Sequence, residues 1–223
     1  MNNKKILIIV TNTSHMDDSN KTETGVWLEE FAVPFYRFKD AGFDVTVASP
    51  LGGVSPIDPA SLLCENPTEW DYTKEYLDNT EKLSEVDYKT YDAVFLPGGH
   101  GPMFDLAKDD FLGEVISWFY NEHKPVGAVC HGPAGLLKAK TPKGEPIVKG
   151  MQLTSFTNEE EKLVKKEAMV PFLLESRLKQ LGAYFNEASP WQENVVSDAN
   201  LITGQNPESS AKIAEQLIRK INL

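Results

Sequence analysis

Cys130 stands in the run Pro125-Val126-Gly127-Ala128-Val129-Cys130-His131-Gly132-Pro133-Ala134-Gly135-Leu136-Leu137, where apolar, β-branched residues give way abruptly to small ones. Val126–Val129 reads as a buried parallel strand and 134–139 as a helix, which puts Cys130 in the turn between them. A small-x-nucleophile-x-Gly elbow of this kind lifts a side chain to the carboxyl edge of a sheet, where the first amides of the next helix favour its anion. Exposure and a lowered pKa together make a cysteine reactive, so this placement predicts a thiol titrating well below ~8.5. The competing reading is one more small, buried, apolar residue.

Partners for such a thiol belong beyond the carboxyl ends of the strands. The loop after residues 6–10 leads into Thr24-Gly25-Val26-Trp27-Leu28-Glu29-Glu30-Phe31-Ala32-Val33-Pro34, a helix with an acidic first turn. Successive helical residues are ~100° apart, so only one of Glu29 and Glu30 can face a pocket. Both can equally be first-turn carboxylates that complement the helix dipole. A second loop, Leu96-Pro97-Gly98-Gly99-His100-Gly101-Pro102-Met103-Phe104, suits an oxyanion hole built from the amides of Gly98 and Gly99. His100 either lines that pocket or fills the turn.

The supply of histidines narrows the mechanism. They are His15, His100, His123 and His131, and none follows His131. A Cys-His pair needs its base within hydrogen-bond reach of sulfur and oriented by a third group, and His131 can supply that base. His123 precedes the strand, at the opposite end from the elbow, and His15 lies in a polar loop; both are expected at the surface. There is no H-E-x-x-H, and two distant cysteines cannot build a zinc site, so no metal is expected. Without Gly-Lys-Ser/Thr or a strand-linked G-x-G-x-x-G, a phosphate or dinucleotide site is not expected either.

The elements that must position these groups alternate along the chain. Residues 6–10, 44–48, Ala93–Leu96 and Val126–Val129 are short apolar runs separated mostly by helical stretches, the signature of a doubly wound α/β fold with helices on both faces of a parallel sheet. Further strands are expected at 151–156, 183–186, 194–197 and 201–203, the last two as a hairpin, followed by an amphipathic helix over 207–221. Residues 49–91 hold Pro50, Pro56, Pro59, Pro67 and the aromatic residues Trp70, Tyr72, Tyr76, Tyr88 and Tyr91. They read as an excursion with one helix inside a single domain spanning 1–223. A net charge of −11 argues against a nucleic-acid or anionic-membrane partner. The five apolar residues 6–10 are too few for a signal sequence or a span, and two cysteines, Cys64 in a polar loop and Cys130 in the elbow, suit a reducing, cytoplasmic compartment better than a disulfide framework.

Together, Thr24-Gly25-Val26-Trp27-Leu28-Glu29-Glu30, Pro97-Gly98-Gly99-His100-Gly101, Ala128-Val129-Cys130-His131-Gly132-Pro133 and Leu201-Ile202-Thr203-Gly204-Gln205-Asn206-Pro207 resemble the ThiJ/PfpI superfamily. More narrowly they resemble its heat-shock chaperone and glutathione-independent glyoxalase branch. The resemblance covers nearly the whole chain. It implies a flavodoxin-like fold, a homodimer, Cys130 as nucleophile with His131 beside it, and Glu30 as the acid next to sulfur. It implies a small reactive 2-oxoaldehyde as substrate and no cofactor, with a stress-induced holdase or a cysteine peptidase or amidase as alternative activities. In relatives an acid after the next strand can orient the histidine. Here that region reads Ser155-Phe156-Thr157-Asn158-Glu159-Glu160-Glu161, which leaves Glu159, Asn158 or no residue in that role.

Overall fold

The computed structural model describes residues 3–64 and 68–223; Met1, Asn2 and the excursion's Pro67 lie outside them. Nine strands are present among the described residues: β1 (Lys5–Ile9), β2 (Asp44–Ser49), β3 (Glu81–Lys82), β4 (Ala93–Leu96), β5 (Val126–Val129), β6 (Gln152–Leu153), β7 (Tyr184–Phe185), β8 (Val195–Asp198) and β9 (Leu201–Gly204). Seven of them form one sheet in the order β3-β2-β1-β4-β5-β9-β8, while β6 and β7 pair separately. The large sheet is parallel except for the β8–β9 hairpin. β4 and β5 are buried along their whole length, as continuous apolar runs in a parallel sheet should be.

Helices cover both faces. α1 (Leu28–Asp40) and α6 (Ser210–Ile221) pack on one side through Phe31, Phe35, Phe38, Ile213 and Leu217, whereas α3 (Asp110–Asn121) packs on the other through Leu112, Ile116 and Phe119. Three shorter helices, α2 (Asp71–Asp78), α4 (Asn158–Leu163) and α5 (Leu174–Gln180), complete the set. This is the flavodoxin-like α/β arrangement. Among the described residues no helix is long and apolar enough to cross a membrane.

Two departures from the sequence expectations bear on function. The acidic helix does not end near Pro34: α1 begins only at Leu28 and continues through the proline to Asp40. Proline there removes one internal hydrogen bond, the one to the Glu30 carbonyl, and the buried Phe35 and Phe38 beyond it anchor the remaining turns. The strand expected at 151–156 shrinks to β6, because Thr154 donates its N–H to the Thr203 hydroxyl and Phe156 donates its own to the Cys130 carbonyl. That segment leaves its ladder to brace the cysteine turn. In the 49–91 excursion, most aromatic rings cap the core: Tyr76 lies against Phe35, Tyr88 against Trp118, and only Tyr72 is exposed among the five.

Candidate active site

Cys130 follows β5 in the left-handed backbone region, at φ +59°. For a residue with a Cβ this costs on the order of 1–2 kcal/mol, which the surroundings must hold in place. They do so from both sides, with the Cys130 N–H donated to the Gly204 carbonyl and the Phe156 N–H donated to the Cys130 carbonyl, each at 2.9 Å. The elbow exists as expected, but the helix expected over 134–139 does not. A five-residue 3-10 turn, Gly132–Leu136, stands in its place. Its few amides make a much weaker dipole than a full α-helix, so the electrostatic argument for a lowered thiol pKa weakens.

The surroundings of the sulfur reverse that argument. Cys130 is 4% exposed. Burial pushes its thiol well above the ordinary value, the neighbouring Glu30 pushes it further, and the Gly99 amide pulls it back only in part. The expectation of a thiol well below ~8.5 is therefore corrected: desolvation disfavours the thiolate until a base takes its proton. That base is in position. His131, fully buried, places Nδ1 3.4 Å from Sγ and Nε2 2.7 Å from the Glu161 carboxylate.

Glu161 accepts from two imidazoles at once, His131 at Oε2 and His100 at Oε1, both at 2.7 Å. Although burial pushes the Glu161 carboxyl up, attraction to His131 and the hydrogen bonds from both rings outweigh it and hold it well below the usual carboxylate range. An ionised carboxylate can only accept, so both Nε2 atoms carry the protons. In neutral His131 this leaves Nδ1 as a lone pair facing sulfur. Burial and repulsion from His131 push His100 down to about 4, against its hydrogen bond with Glu161, so His100 is neutral at pH 7. One ligand atom from each of these three residues lies within 4.8 Å of the others, a spacing open to a metal ion. Both carboxylate oxygens are nonetheless already engaged by N–H donors.

Glu159 and Asn158 do not take this role. Thr157 caps α4 through a capping box with Glu160, which sets the phase of the helix. Residues two apart on a helix point ~200° apart, so Glu161 faces the histidines while Glu159 is exposed to solvent. Asn158 turns to the Ser176 hydroxyl. The T-x-x-E capping signature was the sequence signal that could have separated these glutamates. Glu160 was also unassigned; buried, it accepts from Thr157, the Trp191 amide, Gln205 and Asn206, and so ties the 188–192 segment to the loop after β9.

The Glu29/Glu30 ambiguity resolves by burial. Glu30 is 0% exposed and accepts from the Gly98 N–H at 2.9 Å, whereas Glu29 is only half-buried. Burial pushes the Glu30 carboxyl up to about 8, against the downward pull of the Cys130 thiol and the Gly98 amide. Gly98 is required by contact, since a Cβ there would stand 2.6 Å from Glu30 Oε2 and 2.7 Å from Cys130 Cβ. The amide placed in the oxyanion hole by sequence is thus committed to Glu30. His100 donates to Glu161, and the Gly99 amide acts on the sulfur itself. The glycine loop therefore sets up the acid and the thiol more than it binds substrate oxygen. His15 and His123 are exposed, as expected.

Cys130, His131, His100 and Gly99 open onto a cavity of about 220 Å³ walled by Trp27, Phe156 and Trp191. The Phe156 ring lies 4.6 Å from the His131 ring and 5.7 Å from that of Trp191, so apolar rings flank the histidine. A larger groove beside Phe172 and Arg177 contains none of these groups.

An α/β sheet with a strained cysteine elbow, a histidine beside it and a buried carboxyl against the sulfur defines a class of cysteine-centred flavodoxin-like proteins. The DJ-1/PfpI family model matches residues 22–220, and the chain belongs to that family. It is 31% identical to the glutathione-independent glyoxalase HSP31 of Saccharomyces cerevisiae, over 96% of this chain and 97% of that protein. Among solved structures, Rapid Encystment Protein 24 kDa of Francisella tularensis superposes with a TM-score of 0.93 at 34% identity, covering 98% of this chain and 99% of that one. Glyoxalase III of Candida albicans superposes with a TM-score of 0.86 at 29% identity, covering 97% of each chain.

Proposed function

We propose that the protein is a glutathione-independent glyoxalase that converts methylglyoxal or a similar 2-oxoaldehyde to the 2-hydroxy acid. The observation that carries this reading is a carboxyl pushed up to about 8 beside a buried thiol, with a separate histidine-carboxylate pair to take the thiol proton. A hydrolase of amides needs the second arrangement but has no use for the first. Full-length similarity to named glyoxalases supports the same reading.

The chemistry balances within the site. The Cys130 proton passes to His131 Nδ1 as sulfur bonds to the aldehyde carbon, C1, and Glu30 protonates the aldehyde oxygen, giving a neutral hemithioacetal. Glu30, now a carboxylate, removes the C1 hydrogen; the released pair forms the C1–C2 double bond, and the ketone oxygen, O2, takes the proton from His131. Glu30 then protonates C2 and recovers the proton of the C1 hydroxyl, leaving a thioester of the 2-hydroxy acid. Water, its proton taken by His131, adds to C1 and expels Cys130 as the thiol. C1 is oxidised by the same two electrons that reduce C2, so no external oxidant or reductant enters. Glu161 acts through His131 and is a positioning residue. In this reading the enzyme works in the cytoplasm as a single-domain homodimer.

Purified protein given methylglyoxal without glutathione is expected to form lactate in equal amount, read by lactate chirality and yield. Methylglyoxal consumption without lactate would reject the assignment. Glu161→Gln is expected to cut turnover about 10²-fold, at the low end for an acid–base group because it acts at one remove. Its pH–rate profile should shift on the acidic side, and Glu161→Asp should restore part of the rate. Glu159→Gln should leave rate and profile as they are, and equal losses in the two glutamine variants would remove Glu161 from the mechanism.

A further inference from the structure

Trp27 carries a hydrogen-bond donor that the protein does not use. Its indole Nε1 is buried and meets no acceptor among the described residues, and its ring lines the cavity that holds Cys130 and His131. An indole N–H can only donate, and leaving a buried donor unpaired costs ~1–3 kcal/mol. On a residue that lines a reactive cavity, such a group calls for an acceptor, and a ligand can bring one.

The main chain of Trp27 is held from both sides. Trp27 donates its N–H to the Gly98 carbonyl at 3.1 Å, and its own carbonyl accepts from Phe31 at 3.3 Å in the first turn of α1. At Gly99, where φ is +86°, a Cβ would stand 2.6 Å from the Trp27 nitrogen. The Trp27 backbone is therefore fixed both to the helix that carries Glu30 and to the loop that touches the sulfur. Of the other donors nearby, Gly98 donates to Glu30 and His100 donates to Glu161, while Lys166, also in the cavity wall, stands 3.9 Å from the Asp58 carboxylate.

We propose that Trp27 Nε1–H binds the ketone oxygen, O2, of the substrate, and that Trp27 thereby selects aldehydes with a second carbonyl on the adjacent carbon. This inference rests on the glyoxalase reading. When Glu30 removes the C1 hydrogen, negative charge builds on O2, so a donor aimed there binds the transition state more strongly than the ground state. A simple aldehyde can add to the thiol but offers no O2. The indole donor then stays unpaired, and a site built to hydrogen-bond a substrate oxygen rejects such an analogue strongly.

Two measurements test the assignment. Trp27→Phe keeps an aromatic wall and deletes the N–H; kcat for methylglyoxal is expected to fall ~10²–10³-fold, with a smaller change in KM. Retention of kcat within about threefold would overturn the proposal. Independently of turnover, wild-type protein labelled with nitrogen-15 shows indole N–H signals from its four tryptophans. The Trp27 signal is expected to move downfield on titration with 2,3-butanedione, a vicinal diketone without an aldehyde hydrogen, and to stay in place with butanone. An unmoved Trp27 signal at saturating diketone also rejects the proposal. If the wild type makes no lactate from methylglyoxal, the glyoxalase reading fails, and the diketone titration still decides the role of Trp27.

Discussion

Cys130→Ser is expected to lose methylglyoxal turnover by ~10⁴-fold or more, the scale on which removing a nucleophile ends covalent catalysis. A serine hydroxyl is far less acidic than a thiol and a poorer nucleophile, so transfer of its proton toward Nδ1, which stands 3.4 Å from the sulfur, and attack on C1 are both much less favourable. The fold should survive, because the turn is held by backbone bonds to Gly204 and Phe156 that serine keeps. Thermal unfolding of the variant checks that point, and lactate formation checks the first. The same protein separates the holdase alternative: suppression of client aggregation that persists in an inactive Cys130→Ser belongs to a surface, not to this cavity. Lactate formation at near wild-type rate by the serine variant would remove Cys130 as the nucleophile.

Glu30→Gln is expected to cost ~10²–10⁴-fold in turnover, since an amide cannot accept and return the C1 proton. Glu29→Gln, one residue earlier in the same helical turn, should cost little. Both changes are nearly isosteric, so a general effect on α1 would appear in both. Stability should move the other way. The Glu30 carboxyl stands at about 8 in the fold against an ordinary 4.5, with burial as the chief cause. Between those values the native state holds a proton that the unfolded state has released, so stability falls as pH rises through that window. Glutamine still accepts from the Gly98 amide and escapes the loss, so Glu30→Gln should gain up to on the order of 3 kcal/mol at neutral pH. An inactive variant that melts higher than wild type, most clearly at pH 7–8, is the expected pair of results. A fully active Glu30→Gln, or an inactive Glu29→Gln beside an active Glu30→Gln, would reverse the assignment of the helix face.

Much of the scaffold was legible in the residues because its signals are local. Ala93–Leu96 and Val126–Val129 are strands with the boundaries their apolar runs suggest, and the abrupt change at Cys130 marks the elbow. The closing helix was readable from its periodicity, although its first turn, Pro207–Ser209, is 3-10 and the α-helix proper starts at Ser210. The resemblance among short motifs also pointed to Glu30 and His131.

What sequence could not supply was the state of each polar atom, which depends on groups far away along the chain. The elbow motif and the helix expected after it suggested an acidified thiol, whereas the tertiary structure buries the sulfur against Glu30 and follows it with only a short turn, reversing the sign of the shift. Of three consecutive glutamates, sequence put only Glu159 forward for the orienting role. Only the placement of α4, capped by Thr157 and tied through Glu160 to the loop after β9, turned Glu161 toward two histidines and left Glu159 in water. In the same way Gly98 looked like an oxyanion donor until Glu30 accepted its N–H, and only the fold leaves the Trp27 indole nitrogen without a partner on a residue that lines the cysteine's cavity. Periodicity and turn chemistry are set by neighbours a few residues apart and determined the scaffold. Desolvation and hydrogen-bond satisfaction are set by whatever the fold brings within 3–4 Å, and they alone decided which group holds the proton.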